Sequence, residues 1–173
     1  FEIEITNYDE NKHFFLAHYF RDNYDRAMSQ LPTILSGINI NRIEVWITNK
    51  TNDYSNPRNI IAFTDIAESN HISNDMWSAQ GRNGIPSNNA NNLYSEMATT
   101  YSAIRDFDQV NNIIGNIDGL NGGLDYEKLS NARLLSSNEY TLNKELGFIS
   151  LKTALRADEV LAVAYEYTYG GQT

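Results

Sequence analysis

The sequence predicts an α+β fold: a mainly antiparallel sheet with two or three helices packed on it. Three observations carry this expectation. Strand-like runs lie near both ends of the chain, amphipathic helical segments sit between them, and tracts rich in Asn, Gly and Pro separate the pieces.

Phe1–Thr6 alternates apolar and polar residues, as a half-buried strand does, and 7–12 reads as a turn. His13–Phe20 fits either period: its aromatics suit a strand, while Leu16, Tyr19, Phe20, Tyr24, Ala27, Met28 and Leu31 also fit helical spacing. A strand through about Phe20 is expected, then a helix from Asp22 or Asn23, as N-cap, to about Gln30. Pro32 ends it. Ile38–Lys50 is the clearest strand. Ile43, Val45 and Ile47 point one way, and Arg42, Glu44, Trp46 and Thr48 the other. Asn59–Ile66 is a second strand, expected to pair antiparallel with the first across an Asn-rich loop with Pro57.

Residues 67–90 read as a long loop, a candidate for function because such loops are uncommon in compact domains. Asn91 or Asn92 is then expected to cap a helix whose apolar stripe is Leu93, Met97, Tyr101 and Ile104. A shorter helix from Asp106 or Asp108 would turn Phe107, Val110, Ile113, Ile114 and Ile117 inward, and the Gly-rich run 118–123 stops it. Residues 125–142 suggest a short helix followed by an extended segment. Gly147–Leu151 and Val160–Tyr169 are strand-like. The last strand carries Leu161, Val163, Tyr165, Tyr167 and Tyr169 on one face and the smaller Val160, Ala162 and Ala164 on the other.

Composition narrows the function. The net charge is -9, and the basic residues are scattered singly, which speaks against nucleic acid and anionic membrane surfaces. There is no Cys, so disulfides, thiol nucleophiles and thiolate metal sites are excluded. Mean hydropathy is -0.49, and no apolar run approaches a membrane helix in length. Phe1 falls inside a strand-like run and Thr173 follows another. Residues 1–173 are therefore expected to be a single soluble α/β domain excised from a longer polypeptide.

Catalytic motifs are mostly missing. His13, His18 and His71 lack the spacing that sets two imidazoles on one helix face for zinc. The nucleophile elbow, the P-loop and the dinucleotide fingerprint are also absent. Asp65 with Glu68, and Asp106 with Asp108, are carboxylate pairs of the kind any acidic chain offers. Helix capping is the commoner use of such groups. Asp118–Asp125 has only a faint calcium-loop look, because Leu120 stands where an oxygen ligand belongs. No catalytic, cofactor or metal residue is therefore assigned. Aromatic residues are 12% of the chain, and exposed rings anchor partners or sugars. Trp46, Trp77, Tyr167 and Tyr169 are the candidate anchors.

Several segments together resemble a known family. They are Phe15–Tyr24, Leu31-Pro32 leading into Ser36–Ile40, Arg42–Asn49, Arg58–Phe63, Asn131–Leu135, Leu146–Leu151 and Asp158–Tyr169. The chain resembles a segment of SprA, also called Sov, the giant outer-membrane translocon family of type IX secretion and gliding motility. The likeness runs from about Phe14 to the C-terminus and is weak between about Glu68 and Leu124. It implies a structural or docking domain of a protein-export machine, with shuttle- and plug-type subunits and exported cargo as partners. The parent protein would lie in the outer membrane, with this domain on the cell surface or in the periplasm. It carries no catalytic residue. The alternative from the residues alone is a carbohydrate-binding module of a surface protein.

Overall fold

The computed structural model describes residues 9–51, 56–80 and 84–170. The strand expected at Phe1–Thr6 lies outside them, as do parts of the loops after Lys50 and Gln80. The chain divides into two compact units. One comprises residues up to Leu16, Phe20–Thr48 and Arg133 onward; the other comprises Ala17–Tyr19 and Asn49–Ala132.

The first unit holds two antiparallel ladders. In the smaller, β1 (His13–Phe15), β6 (Phe148–Leu151) and β5 (Tyr140–Asn143) lie in the order β1-β6-β5. A tight turn links β5 to β6. The Asn143 side chain accepts hydrogen bonds from the Glu145 and Leu146 amides, and Gly147 takes φ +63°. That conformation suits glycine because it has no Cβ to clash. In the larger ladder, β2 (Ile38–Ile47) pairs antiparallel with β7 (Leu161–Tyr169), from Ile38↔Tyr169 to Ile47↔Leu161, with a bulge between Ile40 and Arg42. On its other side, Trp46 and Ile47 pair with Leu134 and Arg133, the last two residues of β4 (Tyr126–Leu134). Ile38, Ile40, Val45, Ile149 and Leu151 are buried.

The second unit pairs β3 (Arg58–Phe63) with Tyr126–Ala132 of β4. A bulge interrupts this ladder where Asn131 adopts φ +51°, and its amide donates to the Asn59 side chain at 2.9 Å. The core of this unit is Trp77, Leu93, Met97, Ile104, Val110, Ile114 and Ile117. Those side chains come from the long loop, from α3 (Leu93–Ala98), from a 3-10 turn over Ser102–Arg105 and from α4 (Val110–Ile114). Of the expected apolar stripes, Leu93, Met97, Ile104, Val110, Ile114 and Ile117 thus turn inward, Tyr101 and Phe107 pack against them partly buried, and Ile113 is not among them.

The strand expected to run through about Phe20 ends at Phe15, and His18–Asp22 is helical, as the alternative helical spacing of Leu16, Tyr19 and Phe20 allows. The α+β class and the antiparallel pairing hold, with three further corrections. Helices do not lie across the sheet as a layer. α1 (His18–Asp22), α2 (Tyr24–Ala27), α3 and α4 have only four to six residues each, and α3 and α4 pack on the 3-10 turn between them. Helices this short have too few turns to present a continuous apolar face. Secondly, β2 and β3 do not form a hairpin. β2 takes β7, a partner of matching length, and β3 takes β4. Thirdly, the segment expected to be helical after Asp125 is the strand β4. No helix among the described residues is long and apolar enough to cross a membrane.

Candidate functional site

The four proposed anchors have different fates. Trp46 is 5% exposed and Trp77 is 7% exposed, so neither ring is offered at the surface. Trp46 stands between Leu134 and Ala162 as direct cross-strand neighbours. Alternation alone assigned the indole to the polar face, yet it is buried, with the small Ala162 directly across from it. Its Nε1 donates to Glu44 Oε2 at 3.3 Å. Trp77 belongs to the hydrophobic core of the second unit. Tyr167 is half-buried, with its ring 6.2 Å from that of Tyr165. Tyr169 is exposed at 45%, and Leu31 and Leu35 of the same unit are also exposed. Tyr169 is packed close to Gly37, whose carbonyl accepts the Gly170 amide at 3.0 Å. Of the four, Tyr169 is the ring a partner could reach.

Asp65 and Glu68 belong to a buried polar hub in the second unit. Asp65 Oδ2 accepts the Ser73 and Asn74 amides at 2.9 and 3.0 Å. Its Oδ1 is buried and has no hydrogen-bond partner among the described residues. Asn91, 1% exposed, donates from Nδ2 to the Asp65 and Glu68 carbonyls at 2.6 and 2.7 Å, and its Oδ1 accepts the Leu93 amide. Asn91 thus fastens the β3 exit to the start of α3. Beside it, Asn92 Oδ1 accepts Ser78 N at 2.7 Å and ties down the Trp77 segment. Glu68 Oε1 accepts the His18 amide at 3.1 Å, and the His18 and His71 rings stack at 4.7 Å. One oxygen of each carboxylate accepts backbone amides, which is loop-building chemistry. Asp106 likewise accepts the Asp108 amide, and Asp125 accepts Asn121 N, so these acids shape turns.

One constellation escaped the sequence reading because its members are far apart in the chain. In the first unit, His13 of β1 lies directly across from Ser150 of β6, and His13 Nδ1 is 2.8 Å from Ser150 Oγ. Asp9 Oδ2 is 3.7 Å from His13 Nε2. Lys12 Nζ is 2.7 Å from Asp9 Oδ1. The hydrogen bond and charge of Lys12, with a smaller effect of His13, hold the Asp9 carboxyl below its ordinary range. A hydroxyl, an imidazole and a carboxylate in this sequence form the pattern of an activated nucleophile. The group is open to solvent, since Asp9 and His13 are both exposed. Only the ladder register could reveal it.

No family model matches the sequence. No curated protein matches it either.

Proposed function

We propose that this chain is a structural and docking domain of a type IX secretion translocon of the SprA kind, serving protein export across the outer membrane and gliding motility. One observation carries the reading. Asp158–Tyr169, the most specific of the segments that resemble that family, supplies the whole of β7, another such segment, Arg42–Asn49, supplies most of β2, and these two strands are paired along their length. A third such segment, Leu146–Leu151, contains β6. Likeness concentrated on mutually dependent strands is what a shared scaffold would leave behind, since cross-strand pairs are the unit of sheet stability.

In this reading the chain works by presenting a folded surface, and the exposed Tyr169, Leu31 and Leu35 are its apolar contact points. The partners are shuttle- and plug-type subunits and exported cargo, with the parent protein in the outer membrane and this domain at the cell surface or in the periplasm. Trp46 and Trp77 are buried, so neither ring is offered to a sugar, which favours this reading over the carbohydrate-binding alternative drawn from the aromatic residues and Asn-rich loops.

The test is deletion of the coding region for this chain from the parent gene in its native host, with the outer-membrane level of the parent protein monitored. Export of cargo and spreading motility are expected to stop. Normal export by a strain with normal levels of the shortened protein would sink the reading.

A further inference from the structure

We propose that Ser150 is an acyl-accepting nucleophile, with His13 as its base and Asp9 as the residue that positions the imidazole. Geometry carries the assignment. His13 Nδ1 lies 2.8 Å from Ser150 Oγ, within reach for direct proton transfer. To accept that proton, the ring must be unprotonated at Nδ1 and carry its hydrogen on Nε2. Nε2 is the nitrogen facing Asp9 Oδ2, at 3.7 Å, so the carboxylate favours the working tautomer.

The backbone fixes the partners. His13 and Ser150 are opposed in the β1–β6 ladder, and the neighbouring Leu151 amide donates to the Lys12 carbonyl at 2.8 Å. Thr141 of β5 flanks Ser150 on its other side. Lys12 anchors Asp9 through the ion pair at 2.7 Å.

The open surface sets the substrate class. Ser150 is half-buried between His13 and Thr141, and Asp9 and His13 are exposed, so water reaches the site and solvates much of the oxyanion that forms. The protein then supplies little of the stabilisation that drives amide cleavage. Only acyl groups bearing a good leaving group react: aryl esters and acyl phosphates. Ser150 Oγ bonds to the carbonyl carbon while His13 Nδ1 takes the hydroxyl proton. The bond from that carbon to the leaving oxygen then breaks, and the leaving group departs with the proton returned by His13. A serine ester remains, and water hydrolyses it to the free acid and Ser150.

The chain is incubated with p-nitrophenyl acetate, nitrophenolate release is followed, and the acetylated peptide is mapped by mass spectrometry. Acetyl is expected on Ser150. Ser150→Ala removes that adduct. His13→Gln can still hydrogen-bond the hydroxyl but cannot take its proton, and lowers acylation about 10²-fold, the lower end of what a positioned base supplies. Asp9→Asn slows the reaction, and Asp9→Glu restores most of it. Unchanged thermal unfolding of each variant separates these losses from damage to the sheet. Labelling of Ser150 in the unaltered chain by a fluorophosphonate is the second measurement. Acetyl on the Lys12 amine in place of Ser150, equal rates in His13→Gln, or no fluorophosphonate adduct each overturns the proposal.

Discussion

The ring of Phe20 occupies the space into which a side chain on Gly147 would project. Phe20 is buried, and its ring also meets Tyr165 edge-on. Gly147 itself holds φ +63°, donates to the Asn143 carbonyl and accepts the Leu16 amide. The β5–β6 turn and the Phe20 side chain are therefore fitted to each other. Gly147→Ala meets both a left-handed backbone penalty and a clash with an aromatic ring that has little room to retreat. The expected loss is about 2–5 kcal/mol, read from urea denaturation. Pairing it with Phe20→Ala should give a loss smaller than the sum of the two single changes. A fully additive double variant would mean that the two residues do not share that space.

Asn91 makes three hydrogen bonds to backbone from a buried position. Asn91→Leu is close in size but leaves the Asp65 and Glu68 carbonyls and the Leu93 amide without this partner. The cost is about 2–4 kcal/mol, because buried polar groups lose their compensation. Hydrogen exchange of the amides of Leu93 and its neighbours should accelerate with it. An unchanged melting temperature would show that water replaces the amide.

Trp46 and Tyr169 should separate core from surface. Trp46→Ala is expected to cost about 3–5 kcal/mol, as truncation of a buried aromatic ring does. Tyr169→Ala, at an exposed strand end, is expected to cost less than about 1 kcal/mol. In the parent protein, Tyr169→Ala should weaken partner capture without lowering expression. A marginal effect of Trp46→Ala on thermal unfolding would contradict the burial of its ring.

Glu139 makes stability depend on pH. Its burial alone would raise its pKa, but the Ser136 amide, the Ser136 hydroxyl and the Arg133 guanidinium together hold it below the ordinary value of 4.5. Arg133 Nη1 lies 2.8 and 3.0 Å from the two carboxylate oxygens. A carboxyl depressed in the folded state binds fewer protons there than when unfolded. Its stabilisation is therefore complete above the unfolded value and is lost as pH falls through the folded one. Denaturation midpoints should fall on acidification below about 4.5, and Glu139→Gln should flatten that limb. An identical acid limb in the variant would remove Glu139 from the account.

Much of the fold was legible before any coordinates. The strands β2 and β7, the Gly-Phe-Ile-Ser-Leu run of β6 and the apolar stripe of Leu93, Met97 and Ile104 all appear where periodicity puts them, although alternation misplaced Trp46. The tract 125–134 misled, because its charged and apolar residues fit either period. β4 owes its extended form to its neighbours, chiefly β3 along Tyr126–Ala132. Asn91 and Asn92 were legible as residues of a helix start. Their side-chain bonds to Asp65, Glu68 and Ser78 were not, since these bridge the long loop.

By itself the sequence determined what short-range physics controls: where turns break the chain, which stripes are apolar and that cysteine chemistry is absent. Tertiary structure alone decided which strands pair, that Trp46 is buried across from Ala162, and that Ser150 meets His13. Local preference acts over a few residues along the chain. Pairing and burial are set by partners distant in the chain, 137 residues apart for His13 and Ser150, whose register no one-dimensional pattern encodes.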